Sequence, residues 1–274
     1  MSGSAAEWSS MADEYEKVAT AFTIPVAQAA LALPLLPTDK PLKILEVACG
    51  SGALTGLLAE RFAGSGTQIV ATDFAEGMVK FMQKKASENG WKNVTGQVMD
   101  ATKLNVPDNS LDAVFCIFGI MLMPEGSKAL GEMHRVLHRN GIACYTTWGE
   151  KDFDPIIQEG IRRSKQQVQY DQPPSVTRTP GWSDLDFCIG ELEKTGFSKV
   201  EGQKYRGTWV VNDLDKFLGP LVRNPGMKGS VLKDFTPEEL EQFQALLKQL
   251  FQEKYGVKDI YEFNVVANIV FGQK

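Results

Sequence analysis

The chain has 274 residues, 43% of them hydrophobic, with 29 Lys and Arg against 34 Asp and Glu and a net charge of −5. That length suits one large core with decorations. The acidic balance, broken only by the short Arg162-Arg163-Ser164-Lys165 run, argues against a nucleic-acid backbone as partner.

The predicted elements alternate along the chain. Residues 11–34 read as helical, with Tyr15, Val18, Phe22 and Val26 at near-helical spacing, before Pro37 and Pro41 break the chain. Ile44 to Val47 is a short, β-branched-rich buried strand. ALTGLLAERF then reads as helix, Gln68 to Thr72 as strand, Glu76 to Asn89 as helix, and Asn93 to Met99 as a third strand. Leu111 to Phe118 is a fourth strand and Ser127 to Leu137 a helix. Asn140-Gly141 marks a turn before a fifth strand, Ile142 to Thr147. Prolines break the rhythm over 151–182, around the helical pattern IIQEGIRRSKQQV. SDLDFCIGELEKTGF gives a helix ending at Gly196, and Ser198 to Val211 a strand. LDKFLGPLV is a short helix, and TPEELEQFQALLKQLFQEKY a helix capped by Thr236 with Pro237 at its first position. YEFNVVANIVFG is a final strand, and a strand arriving so late is expected to insert antiparallel.

Strand–helix alternation at this interval is the rhythm of right-handed βαβ units in a doubly wound α/β sheet. The expected organisation is a helical cap over 1–40, a core over 41–150, a substrate lid over 151–182, and the rest of the sheet over 183–274 with a helical insertion at 212–258. Cys49, Cys116, Cys144 and Cys188 are widely spaced with no CxxC, which speaks against a zinc knuckle or a disulfide scaffold and for a reducing, cytoplasmic setting. The amino-terminal sequence lacks the layout of a signal peptide. No apolar run approaches the roughly 18 residues of a membrane span.

At the end of the first strand, ILEVACGSG places Gly50-Ser51-Gly52 where backbone approaches a ligand and feeds a helix amino terminus. Asp73, 23 residues after Gly50, ends the second strand beside that loop, placed to accept hydrogen bonds from a ribose diol. Three details oppose a dinucleotide. Glu46 puts an acid where a pyrophosphate needs a neutral or positive setting. Ala48 replaces the leading glycine of GxGxxG. Asp100, in QVMDATKL, adds a third acid that reaches the amine of an adenine. Three acids suit a ligand with an ammonium and no phosphates, which matches S-adenosylmethionine.

Through ILEVACGSG, IVATDFAEGMV, VMDATKLNVPDNSLDAVFC and EMHRVLHRNG, the chain resembles the class I, seven-stranded S-adenosylmethionine-dependent methyltransferases of the small-molecule group. The resemblance spans residues 11–150 and, more weakly, 183–211 and 261–271. It implies the strand order 3-2-1-4-5-7-6 with the last strand antiparallel. It also implies that Glu46 holds the amino group or organises the loop, that Ala48, Cys49 and Gly50 follow the methionine moiety and sugar, and that Gly52 belongs to the cofactor-binding set. Asp73 takes the ribose hydroxyls, Phe74 and Met78 flank adenine, and Asp100 with Ala101 addresses its edge. Cys116 to Gly119, with Cys116 and Phe118 among the cofactor-binding residues, form the floor near the methionine part and the transferring methyl. The tip FGIMLMP is similar to that of tailoring enzymes of secondary metabolism.

Transfer from a sulfonium needs chiefly proximity, alignment and exclusion of water, with a base only for a protonated nucleophile. His134 and His138, four apart in one predicted helix, read as surface or helix-end groups rather than a metal pair. No metal is expected. Three lids are expected to contact substrate: the Trp8, Tyr15 and Phe22 line; Phe118, Met121 and Met123; and the segment with Trp148, Phe153 and Trp182. Tyr15, Trp148 and Asp152 are the catalytic candidates, with Tyr15 also touching the cofactor and Asp152 or Glu150 as base or as a carboxylate for a cationic amine. The acceptor is expected to be a small, flat or hydrophobic molecule, and the protein a monomer or homodimer without nucleic-acid or membrane partners. Three rivals remain: a nucleic-acid or protein methyltransferase, opposed by CIFG at the fourth tip; an NAD(P)-dependent oxidoreductase, opposed by the loop; and an S-adenosylmethionine-binding protein that transfers no methyl.

Overall fold

A computed structural model describes residues 3–33, 36–37, 39–164 and 181–274. Two helices open it, α1 (Ala5–Ser10) and α2 (Ala12–Ala32). Ser4 caps α1 reciprocally: Glu7 N–H donates to Ser4 Oγ while Ser4 N–H donates to the Glu7 carboxylate. Five strands and four α-helices follow: β1 (Lys43–Val47), α3 (Ala53–Arg61), β2 (Gln68–Asp73), α4 (Glu76–Glu88), β3 (Val94–Val98), β4 (Leu111–Ile117), α5 (Gly126–Val136), β5 (Leu137–Lys151) and α6 (Asp154–Ser164). The chain ends with α7 (Leu185–Lys194), β6 (Ser198–Val211), α8 (Leu214–Arg223), α9 (Pro225–Lys228), α10 (Pro237–Tyr255) and β7 (Tyr261–Gln273).

The seven strands form one sheet in the order β3-β2-β1-β4-β5-β7-β6, as the resemblance implies. β1 to β5 pair in parallel, and β7 lies antiparallel to both β5 and β6. Central strands are apolar without alternation because both faces are covered: Ile44 to Val47 and Ala113 to Ile117 are all buried. The edge strands β3 and β6 are largely exposed or half-buried.

A second apolar core forms where β6 and β7 run on past the central sheet. α6, α8 and α10 close over them, packing Phe153, Phe217, Phe251 and Phe263 ring against ring. Thr236 and Pro237 begin α10 as expected, with Glu239 completing the cap. Gly160 of α6 allows the close approach of α10: a Cβ there would stand 2.6 Å from a Leu247 methyl. The stretch expected to be a lid thus begins as a packed helix with Ile156, Ile157 and Ile161 buried; residues 165–180, including Pro173, Pro174 and Pro180, lie outside the described residues.

Two local expectations are corrected. Asn140-Gly141 does not turn between elements but sits within β5, where the pairing jumps from Leu111↔Leu137 to Ala113↔Ile142. Asn140 takes a left-handed φ of 68°. Its N–H donates to the Lys274 carbonyl, and Lys274 N–H donates to Gly141, so a bulge stitches the chain's last residue to the sheet. His138 therefore lies in β5, four residues from His134 but not on its helix.

Phe251 is fully buried and meets Phe153, Phe217 and Phe263. Phe251→Ala is expected to lower unfolding stability by about 3–5 kcal/mol, measured by urea titration. A loss below about 1 kcal/mol contradicts this packing.

Candidate functional site

The site begins at the tips of β1 and β2. After β1, Ala48 adopts φ 54° and Gly50 φ 53°, both left-handed, so the chain turns back sharply. Cys49 N–H donates to the Thr72 carbonyl (2.8 Å), and Gly50 N–H to Asp73 Oδ2 (3.0 Å). Asp73 Oδ1 accepts the Ala75 N–H (2.9 Å), so one carboxylate holds the glycine turn and the entry to α4 together. Gly52, at φ 85°, begins α3, and a Cβ there would come within 2.7 Å of Met82. At the neighbouring tip of β4, Phe118 is also left-handed (φ 55°), and its N–H donates to Thr146 Oγ1 (3.0 Å). Gly119 follows because a Cβ there would stand 2.6 Å from that of Ala48. Two strained non-glycine residues thus face each other across β1 and β4.

These tips open on a cavity of about 530 Å³, within the range of small-molecule and cofactor sites. Among the expected cofactor residues it brings together Tyr15, Ala48, Gly50, Asp73, Phe74, Met78, Asp100, Ala101 and Phe118. Asp100 holds its own turn by accepting the Thr102 N–H and hydroxyl, each at 2.8 Å. Burial raises the Asp73 carboxyl above its ordinary value, opposed by the N–H groups of Ala75 and Gly50. Burial, helped by the Asp73 and Glu16 charges, pushes the Tyr15 phenol up to about 12.

Glu46, Cys49, Gly52 and Cys116 do not line this cavity. They form its support. Glu46 is buried, accepts the Thr55 hydroxyl at 2.5 Å, and is pushed up to about 8 by burial, so its carboxyl is neutral near pH 7. Burial raises the Cys116 thiol to about 12 and the Cys49 thiol well above its usual value, which leaves neither as a nucleophile.

A second, smaller cavity of about 130 Å³ adjoins the first and shares Trp8, Tyr15, Phe118 and Leu122 as walls. Phe22, Met121, Trp148, Phe153, Trp209 and Met227 enclose it. Trp148 stacks on Phe118, ring centroids 4.1 Å apart and 14° from parallel. Of the expected aromatic line, Trp8 meets Tyr15 edge-on, while Phe22 meets Phe118 and Trp148.

Asp152 lines neither cavity. Its Oδ2 accepts the backbone N–H (3.0 Å) and side-chain amide (2.9 Å) of Asn264, pinning β7 to the end of β5, so it is not poised as a base. Glu150 lines neither cavity either. Trp182 is core rather than lid, edge-on to Tyr145 and Phe187. His134 packs on Phe197, and His138 bonds Asp112 at 2.9 Å, both distant in role from the cavities. No group of three or more potential metal ligands occurs among the described residues. Sequence reasoning missed Trp209, Thr23, Lys151 and Met227 as cavity walls. Trp209 had a signal in the aromatic, β-branched end of the predicted strand, and the others had none.

This sheet order, with acids and a glycine turn at the carboxyl tips, defines the class I methyltransferase fold. A family model described as a methyltransferase domain matches residues 44–141, the segment that builds those tips. The methyltransferase tpcH of Aspergillus fumigatus is 25% identical over 86% of this chain and 86% of its own length. The aklanonic acid methyltransferase DauC of a Streptomyces species is 24% identical over 58% of this chain and 76% of its own. A solved Bacillus halodurans structure described as a methyltransferase superposes with a TM-score of 0.58, at 19% identity, covering 90% of this chain and 98% of that one. Residues 44–141 therefore match a methyltransferase domain, and the whole sheet has the class I methyltransferase order.

The buried Glu46 gives a pH-dependent consequence. Between the ordinary carboxyl value of 4.5 and about 8, the folded protein holds a proton here that the unfolded chain has released. Stability therefore falls as pH rises through that window. Glu46→Gln, which mimics the neutral acid and removes the titration, is expected to gain melting temperature on the parent protein at about pH 8 relative to about pH 5, without cofactor. A difference that does not grow with pH contradicts a protonated Glu46.

Proposed function

We propose that the larger cavity holds S-adenosylmethionine and the smaller one receives a flat, apolar acceptor whose O, N or S nucleophile meets the methyl at their shared wall. The observation that carries this is the clamp of Asp73 on the Gly50 N–H. It spends part of each carboxylate oxygen on backbone and leaves the remaining lone pairs at the cavity wall, where hydroxyls of a ribose can donate to them. The donor set fits the group: acids at the tips, a close backbone turn, and apolar Phe74 and Met78 for a flat base, with Asp100 and Ala101 at its edge.

When bound, S-adenosylmethionine supplies a methyl group already activated on a positive sulfur. The chain's own residues then have to align and dehydrate. Ala48, Gly50 and Phe118 form the wall along the methionine part, with Glu46, Cys49, Gly52 and Cys116 holding that wall from beneath. Tyr15 closes the cavity from α2. Its phenol stays protonated at working pH, so it acts as a hydrogen-bond donor and steric gate rather than as a base. Trp148, stacked on Phe118, positions the acceptor ring against the shared wall. Asp152, spent on Asn264, takes no part. Catalysis then rests on proximity and on exclusion of water by the aromatic walls.

An acceptor of the secondary-metabolite kind agrees with the relative named for aklanonic acid. A soluble, cytoplasmic enzyme working as monomer or homodimer is the setting proposed; no described helix is long and apolar enough to cross a membrane. The expected division into cap, core, lid and insertion is proposed with it, the cap closing the cofactor side and the insertion the acceptor side.

Calorimetric titration tests the assignment. S-adenosylhomocysteine is expected to bind the parent protein, NADH not to bind, and Asp73→Ala to lose about tenfold or more in affinity while remaining folded. Undiminished affinity in Asp73→Ala, or preference for NADH, overturns it.

A further inference from the structure

The smaller cavity is mostly apolar, with Tyr15, Thr23, Lys151 and Asn224 as the polar residues among its walls. Lys151, the last residue of β5, lines it with a side chain only 9% exposed. Its ammonium lies 5.7 Å from the Trp148 ring centroid and 6.0 Å from that of Phe153. Asp154 Oδ1 stands 3.0 Å away. Yet that oxygen is buried and receives no hydrogen bond, while Oδ2 accepts the backbone N–H of Lys151 at 3.1 Å. The pair meets as charges, not as a well-directed bond. An ammonium carries three donors, and no described residue accepts one of them.

A second polar group faces the same space. The Thr23 hydroxyl, on α2, is buried in the cavity lining and has no hydrogen-bond partner among the described residues. Buried polar groups left unsatisfied are costly, and native proteins keep them where something else completes them. Two underused donors in an aromatic box ask for an acceptor oxygen delivered on a flat apolar body. The ammonium asks for a negative one.

We propose that Lys151, with Thr23, selects acceptor substrates that carry an anionic oxygen, a carboxylate or an ionised phenol or enol, on an aromatic ring packed among Phe22, Trp148 and Trp209. This rests on the assignment of the smaller cavity to the acceptor. It also bears on the missing base. An acidic acceptor arrives already deprotonated, and an anion held by Lys151 needs no proton removed. Where that anion is itself the nucleophile, its oxygen forms the new O–CH3 bond as the S–CH3 bond breaks. The electron pair of the broken bond stays on sulfur, which becomes a neutral thioether. Where it is not, Lys151 acts as a specificity residue that anchors the far end of the ring.

The cavity has room for about one ring, comparable to engineered apolar cavities that take up benzene. The test is therefore calorimetric titration of the S-adenosylhomocysteine-saturated protein with benzoate, 4-nitrophenolate and neutral benzamide at mildly alkaline pH. At least one anion is expected to bind about tenfold more tightly than benzamide, and the tighter of the two identifies the class of anion. Lys151→Met is expected to abolish that preference while keeping benzamide binding, S-adenosylhomocysteine affinity and melting temperature. Lys151→Arg is expected to retain it. Asp154→Asn, which removes the competing charge, is expected to strengthen anion binding, a change that a purely structural Lys151–Asp154 pair would not produce. Equal binding of anions and benzamide, no binding of any probe, or a preference that survives in Lys151→Met overturns the proposal. Failure to take up S-adenosylhomocysteine at all counts instead against the cofactor assignment.

Discussion

Gly50 donates its N–H to Asp73 across 3.0 Å, and the geometry of the candidate site is arranged around that bond. It is possible because Ala48 and Gly50 turn left-handed at once, bringing the chain back over the tip of β2. The same carboxylate accepts from Ala75 at the start of α4. A single buried acid therefore fixes two strand-to-helix turns relative to each other, at the carboxyl edge where doubly wound sheets bind their ligands. Burial works against its charge, and the backbone donors work for it. A cationic ligand carrying hydroxyls eases that tension, whereas a pyrophosphate aggravates it.

The two cavities share Tyr15 and Phe118 in a common wall. Phe118 owes its place to a left-handed backbone held by Thr146 and to the absence of a side chain at Gly119. Tyr15 arrives from the opposite end of the chain. Ion pairs join the amino-terminal helices to the carboxyl-terminal insertion, Glu14 to Arg223 and Glu7 to Lys228, so the two lie side by side. These exposed pairs position more than they stabilise.

Much of the sheet was legible because its signals are local. Short apolar runs followed by glycine and then by amphipathic segments mark β1 to β4 and their helices, and Thr236-Pro237 marks the start of α10 without reference to anything distant. That Asp73 and Asp100 line one cavity was legible because strand ends fix where a side chain emerges. The failures are contacts between residues far apart in sequence. Asp152 looked like a free loop acid until Asn264 reached it, and Trp182 looked like a lid until Tyr145 and Phe187 enclosed it. Asn140-Gly141 has the composition of a turn, but the chain end pairs there and makes it a bulge. Lys151 gave no signal, since nothing in GEKDFD distinguishes a lysine folded inward against two rings from one in solvent.

The position of the cofactor's sugar decides the role of Asp73, and a crystal structure of the protein with S-adenosylhomocysteine measures that directly. The predicted result places both ribose hydroxyls within hydrogen-bond distance of Asp73, the adenine against Phe74 and Met78, and the sulfur beside Phe118 at the mouth of the smaller cavity. A ribose turned away from Asp73, or a cofactor outside the cavity above Gly50, would contradict it.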